Sequence, residues 1–159
     1  MVNENELLKR KKILFNRRWY NGIQRLKLLG IELPDSITKE ELWIKFRDTT
    51  FCEYCGCELE YWITSDDSLD KRILVPSIDH VLPLSRGGDN LIDNLAIVCA
   101  GCNYIKGTMS IELYGKLCDV ILQHGELGLL HKWKVQAYKS ALANKLDRVA
   151  RENAEVGIN

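Results

Sequence analysis

Apolar residues in the first part of the chain, Leu7, Leu8, Ile13, Leu14, Trp19, Tyr20, Ile23, Leu26, Leu28 and Leu29, recur at mixed three- and four-residue steps and stop at Gly30. That pattern predicts a long helix closed by a glycine C-cap. Pro34 closes the element, and Thr38 followed three residues later by Glu41 fits a capping box that opens a short helix through Leu42, Trp43, Ile44 and Phe46. After a turn-rich stretch, RILVPSIDH (72–80) and LAIV (95–98) are β-prone and are separated by the loop PLSRGGDN with its paired glycines. The helical period returns from Cys102, with Ser110 as N-cap of IELYGKLCDVILQHG and a last helix from Leu127 to about Val156. No internal repeat or low-complexity stretch interrupts this order, and the expected class is α+β.

Composition narrows the picture. With 159 residues, 46% hydrophobic and 28% charged, the chain has the profile of a soluble globular domain. Lys and Arg total 22 and so do Asp and Glu, which excludes a wholesale polycation. No apolar run approaches the roughly 18 residues of a membrane span, and Asn3, Glu4 and Glu6 interrupt any signal peptide, so a cytoplasmic protein without a membrane partner is expected.

Charge is nevertheless polarised along the chain. Residues 7–31 carry Lys9, Arg10, Lys11, Lys12, Arg17, Arg18, Arg25 and Lys27 with no acid, whereas residues 48–70 carry Asp48, Glu53, Glu58, Glu60, Asp66, Asp67 and Asp70 with no Lys or Arg. The basic helix, with Trp19 and Tyr20 interleaved, is expected to follow a phosphate backbone through Lys9, Arg10, Lys11, Lys12, Arg17 and Arg18. The competing reading is a solvated amphipathic face. The acidic segment is expected to lie away from the duplex.

Candidate chemistry begins with the cysteines. Cys52-x-x-Cys55 and Cys99-x-x-Cys102 have the spacing of two zinc knuckles, each aiming two thiolates at one tetrahedral ion. One structural Zn²⁺ per chain is expected, with a sizeable insert folded between the knuckles. Cys118 reads as a helix core residue, and Cys57 as an alternative ligand. His124 and His131 read as ordinary surface or interfacial histidines.

Within and after the insert stand Asp79-His80, then Gly87-Gly88-Asp89-Asn90, then Asn94-Leu95, then Cys102-Asn103-x-x-Lys106-Gly107. In order and spacing these motifs resemble the HNH endonuclease family in its four-cysteine zinc-binding branch, over about residues 52–107. The resemblance implies a ββα-metal core in which two antiparallel strands and a helix hold a catalytic divalent ion, and DNA cleavage as the activity. It extends to phage, homing, restriction and CRISPR-effector nucleases. Asn94 resembles the family's central Asn, whose amide pins the backbone of the histidine-bearing loop.

The residue chemistry agrees. Phosphodiester hydrolysis needs a nucleophilic water, a counter-charge for the reacting phosphate and help for the departing 3′ oxygen. Asp79 and Asn103 supply oxygen ligands suited to Mg²⁺ or Mn²⁺. His80 is the candidate general base, because an imidazole titrating near neutrality can accept the water's proton. Adjacent strand residues point to opposite faces, so Asp79 and His80 meet at one phosphate only if the strand is irregular or ends there. Arg86 and Lys106 read either as phosphate contacts or as solvated cations. The resulting division is a basic helical region (1–48), a nuclease core (49–109) and C-terminal helices (110–159), acting on double-stranded DNA as a monomer or homodimer. The alternatives are a zinc-stabilised DNA-binding module that does not cut, and redox chemistry at C-x-x-C, which lacks a βαβ setting.

Overall fold

Helix α1 runs from Glu4 to Leu28 in the computed structural model, which describes residues 3–28, 30–31, 37–64, 66–124 and 128–156. Its stop is the predicted one. Gly30 takes φ 63°, and the Ile31 amide returns to the Leu26 carbonyl at 3.0 Å while Gly30 N reaches Lys27 O at 3.1 Å, a Schellman closure that needs the left-handed conformation. Pro34 lies outside the described residues. Both halves of the Thr38–Glu41 capping box form, and α2 spans Lys39–Asp48. The two helices meet through Phe15, whose ring centroid is 5.3 Å from Trp43 and 5.5 Å from Phe46, with Leu14 and Leu42 buried alongside.

This packing corrects part of the charge reading. Lys11 is not a surface cation: it is buried between α1 and α2, its Nζ donates to Arg47 O at 2.7 Å, and it stands 4.6 Å from the Tyr61 ring centroid. Arg10 lies over Trp62 and Lys12 over Trp43, at 4.8 and 4.1 Å from the rings. Arg18 is half-buried and donates to Pro76 O at 3.2 Å. Much of the basic helix therefore covers aromatic residues, two of which belong to the acidic segment. Lys9 and Arg17 remain exposed.

The first β-prone stretch is also shorter than expected. Ser68 caps a one-turn helix, α3 (Leu69–Arg72), and strand β1 begins only at Pro76 and ends at His80. The reason lies in the backbone of Ile73 and Val75, whose carbonyls accept the first amides of the next helix, from Gly101 at 2.9 Å and Ala100 at 2.9 Å. Those carbonyls satisfy a helix N-terminus instead of a sheet ladder. Strand β2 (Leu95–Cys99) pairs antiparallel with β1 in the register Pro76↔Cys99, Ile78↔Ile97 and His80↔Leu95, and all of its residues are buried.

Helix α4 (Ala100–Lys106) follows without a loop, with Cys99 as its N-cap. Ser110 Oγ accepts from Leu113 N at 3.3 Å and opens α5 (Ile111–His124), and α6 spans Leu129–Val156 and packs on α4. The expected start of the last helix, Leu127, falls outside the described residues. The whole is a mixed structure of helices and a two-stranded antiparallel sheet. Among the described residues no helix is long and apolar enough to cross a membrane.

Candidate active site and metal centre

The turn after α2 is closed by a bridge between Phe51 and Glu58, with Gly56 at φ 68°. It presents Cys52 and Cys55 to Cys99 at the end of β2 and Cys102 in the first turn of α4. The four sulfurs all lie within 4.8 Å of one another, and Cys55 and Cys99 are 3.9 Å apart. Zinc–thiolate bonds of about 2.3 Å place the sulfurs of a tetrahedral site about 3.8 Å apart, so this set fits a closed zinc site. Cys57 stands outside the set, its Sγ 3.4 Å from that of Cys55. Cys118 is half-buried against the core.

Asp79 and His80 occupy the last two positions of β1. The Asp79 carboxylate is buried, and its Oδ2 accepts from Tyr54 at 2.8 Å and from Lys106 Nζ at 2.8 Å. Lys106 also donates to the His80 carbonyl at 2.7 Å. Its side chain is fully buried, which fits neither reading of Lys106, as a phosphate contact or as a solvated cation: the ammonium ties the α4 C-terminus to β1. Burial, followed by the bond to Asp79, pushes the Tyr54 hydroxyl well above its usual range and keeps it a donor.

The His80 imidazole turns to the loop, with Nε2 2.9 Å from Asn90 Oδ1. Burial lowers its pKa below the ordinary 6.5, and the Lys106 and Arg25 cations act in the same direction. Asn94 behaves as a backbone clamp: its Oδ1 accepts from Leu82 N at 2.8 Å, and its Nδ2 donates to Leu82 O at 3.0 Å and Asp89 O at 2.8 Å. Asn103 donates to Ser77 Oγ at 2.7 Å, leaving its amide oxygen without a partner among the described residues. Arg86 stays on the surface, its Nε bonded to Thr108 O at 2.6 Å.

The second glycine of the loop is sterically required. A Cβ on Gly88 would stand 1.9 Å from Leu82 O and 2.9 Å from Asn94 Nδ2, against the clamp itself. Gly88→Ala is expected to lower unfolding free energy by about 1–3 kcal/mol, as overpacking does, and to disturb the His80 loop. Calorimetry checks it, and an unchanged melting temperature would remove Gly88 from this role.

A cavity of about 1370 Å³ brings Asp79, His80, Asn90 and Asn103 to one space, with Arg17 and Arg25 of α1 on its wall. Neither arginine has a hydrogen bond or ion pair among the described residues. Tyr54 and Asn90 were not singled out by sequence reasoning. Asn90 closes the GGDN motif, two positions after Gly88, and that is its only signal in the sequence; Tyr54 has none beyond lying inside a knuckle. His131 pairs with Asp70 at 2.6 Å on the surface, away from this cluster, and the side chain of His124 lies outside the described residues.

Residues 65–113 match the model of a family described as HNH endonuclease, and the four nearby cysteines are consistent with its zinc-binding branch. Neither a curated protein nor a solved structure matches the chain. The match contains Asp79, His80, Asn94 and Asn103 and the second knuckle; the first knuckle, α1, α2 and α6 lie outside it.

Proposed function

We propose that the chain is a metal-dependent endonuclease of double-stranded DNA, built on a ββα-metal core (β1, β2 and α4) within residues 49–109, with a structural zinc held by Cys52, Cys55, Cys99 and Cys102. The observation that carries this reading is the cavity shared by Asp79, His80 and Asn103 inside the segment that matches HNH endonuclease. In the tautomer in which Nε2 donates to Asn90, Nδ1 holds the free lone pair and takes the proton of the attacking water. Lys106 holds the backbone at the His80 carbonyl and Asn94 holds it two residues later at Leu82, so His80 does not have to be ordered at the moment of reaction.

The donors also suit the second metal. Asp79 Oδ1 and the Asn103 amide oxygen have no protein partner among the described residues, and such hard oxygens fit Mg²⁺ or Mn²⁺. Bound there, the ion would supply counter-charge to the reacting phosphate and to the departing 3′ oxygen. Because Lys106 already neutralises Asp79, the protein alone contributes little net negative charge, and affinity for the ion is expected to depend on the substrate phosphate. Supercoiled plasmid tests the reading: nicking or linearisation with Mg²⁺ or Mn²⁺ and none in EDTA is expected. Retardation of the plasmid without nicking in any divalent ion would overturn it in favour of a module that binds and does not cut.

DNA is expected to enter along the exposed side of α1 and Arg86. Replacing Arg17 and Arg25 together with Gln should reduce the slope of log affinity against log salt by about two units, since each phosphate contact adds about 0.9. Lys11→Gln should instead leave the slope unchanged and lower the melting temperature, because its ammonium bonds protein carbonyls. Fluorescence anisotropy with Ca²⁺ in place of Mg²⁺ measures the slope, and an unchanged value in the double-arginine variant would place the DNA elsewhere.

A further inference from the structure

The C-terminal helices, α5 and α6, each bury one polar side chain beside the four-cysteine site. Lys134, on α6, is 6% exposed, and its Nζ donates to Cys55 Sγ at 3.0 Å. It forms no ion pair with a carboxylate among the described residues. The lysine stem reaches that position by crossing the first turn of α4 at Gly101, where a Cβ would stand 2.8 Å from Lys134 Cβ and 2.9 Å from its Cγ. The glycine thus clears the path of the lysine.

Tyr114, on α5, is 3% exposed and belongs to the same buried cluster as Cys102, with Cys118 packed against it. Its hydroxyl is the one buried side-chain polar atom without a hydrogen-bond partner among the described residues.

An ammonium buried without a counter-charge and a hydroxyl buried without an acceptor are both unfavourable. Thiols are weak acceptors, whereas thiolates are strong ones. One change at the site resolves both: Cys55 and Cys102 as thiolates on a metal ion. Four thiolates around a divalent cation leave two excess negative charges, and a buried lysine offsets one of them. A lysine serving only as packing would extend its ammonium to solvent, yet Lys134 directs its amine to sulfur.

We propose that Lys134 and Tyr114 are outer-shell donors to the zinc centre, to Cys55 and Cys102 respectively, and that α6 docks more tightly on the zinc-loaded site than on the empty one. This rests on the zinc reading above. Linkage makes the coupling reciprocal: whatever zinc contributes to α6 docking, docked α6 returns to zinc retention. The coupling reaches the active site, because Tyr138 and Lys145 of α6 line the same cavity as His80, and Tyr138 stacks edge-on against Tyr104 of α4 with centroids 5.3 Å apart. Zinc occupancy therefore sets the position of one wall of the nuclease groove.

Zinc transfer to a chromogenic chelator tests the proposal on the full chain. Lys134→Met keeps the stem and removes the charge, and it is expected to release zinc about tenfold faster than the unmodified protein, the lower end of the range for outer-shell partners. Lys134→Arg should stay closer to the unmodified rate. Thermal melts separate this from simple packing: Lys134→Met should lower the melting temperature of the zinc-loaded form and spare the zinc-free form. Release at the unmodified rate, or equal destabilisation of both forms, would overturn the proposal. Tyr114→Phe, which removes only the hydroxyl, keeps the test open if Lys134→Met does not fold. It should also speed release, and an unchanged rate would remove Tyr114 from the role. Hydrogen exchange in the unmodified protein should show residues 129–145 losing protection when zinc is stripped; equal protection would reject the coupling. Metal analysis keeps the two readings apart, since an unmodified chain purified without zinc would overturn the zinc site itself, before any variant is compared.

Discussion

His80→Ala is expected to reduce DNA cleavage about 10²- to 10⁴-fold, the usual contribution of a positioned general base, while zinc content and melting temperature stay near those of the unmodified protein. The effect should be confined to chemistry because the variant keeps the part of His80 that the fold uses. Lys106 bonds the backbone carbonyl of residue 80, which alanine also has, and β1 pairs with β2 through backbone groups. What disappears is the imidazole and its bond to the Oδ1 of Asn90, a residue that lines the cavity. Asn90→Ala should cost less, because it leaves the base in place and removes only its orientation. Single-turnover cleavage by the two variants gives the comparison. Near-normal cutting by His80→Ala would reject the base assignment, and a larger loss in Asn90→Ala than in His80→Ala would assign Asn90 a direct part in the reaction.

Features that depend on local chemistry were the most legible in the sequence. The capping box at Thr38, the glycine stop at Gly30 and the cap at Ser110 each involve residues within a few positions of one another, and all are formed. The two C-x-x-C pairs were legible for a similar reason, since each knuckle is a local turn, although their meeting in space is a tertiary result. The sequence misled where an apolar run had a partner far along the chain. Ile73 and Val75 suit a strand by composition, yet their carbonyls cap α4, some 25 residues away, and no local pattern announces that. Cations were the hardest to place. Lys11 reads from the sequence as a phosphate contact and Lys106 as a phosphate contact or a solvated cation, yet both are buried against carbonyls, Lys106 against Asp79 as well. Charge in a sequence records how many cations there are and in which segment, but which of them face water is decided by the packing of α1 on α2 and of α4 on the sheet. Tyr54 was invisible for a related reason, since its role depends on the first knuckle folding onto Asp79.

That last contact links the four-cysteine cluster to the Asp79 carboxylate and sets the expectation for Cys99→Ser. Cys99 is fully buried, ends β2, and caps α4 by accepting from Cys102 N at 3.4 Å, while its amide donates to Cys52 Sγ at 3.2 Å. Serine is among the best N-caps and nearly matches cysteine in size, so the helix start and the strand pairing are retained in principle. What serine does not provide is a thiolate, and a closed tetrahedral site with one ligand missing loses most of its hold on the ion. Structural zinc sites in small domains contribute about 10–16 kcal/mol of apparent binding free energy, which is stability in the folded state. Cys99→Ser is therefore expected to drop zinc from one per chain to below about half and to lower the melting temperature far more than any cap substitution would, since caps contribute only about 1 kcal/mol. Activity should fall with the metal. The first knuckle holds Tyr54 on Asp79, and the second opens the helix that carries Asn103 and Lys106, so loosening the cysteines frees the carboxylate from both sides. Metal analysis and calorimetry on the purified variant decide the matter. A full equivalent of zinc with an unchanged melting temperature would show that Cys99 is a core thiol and not a ligand.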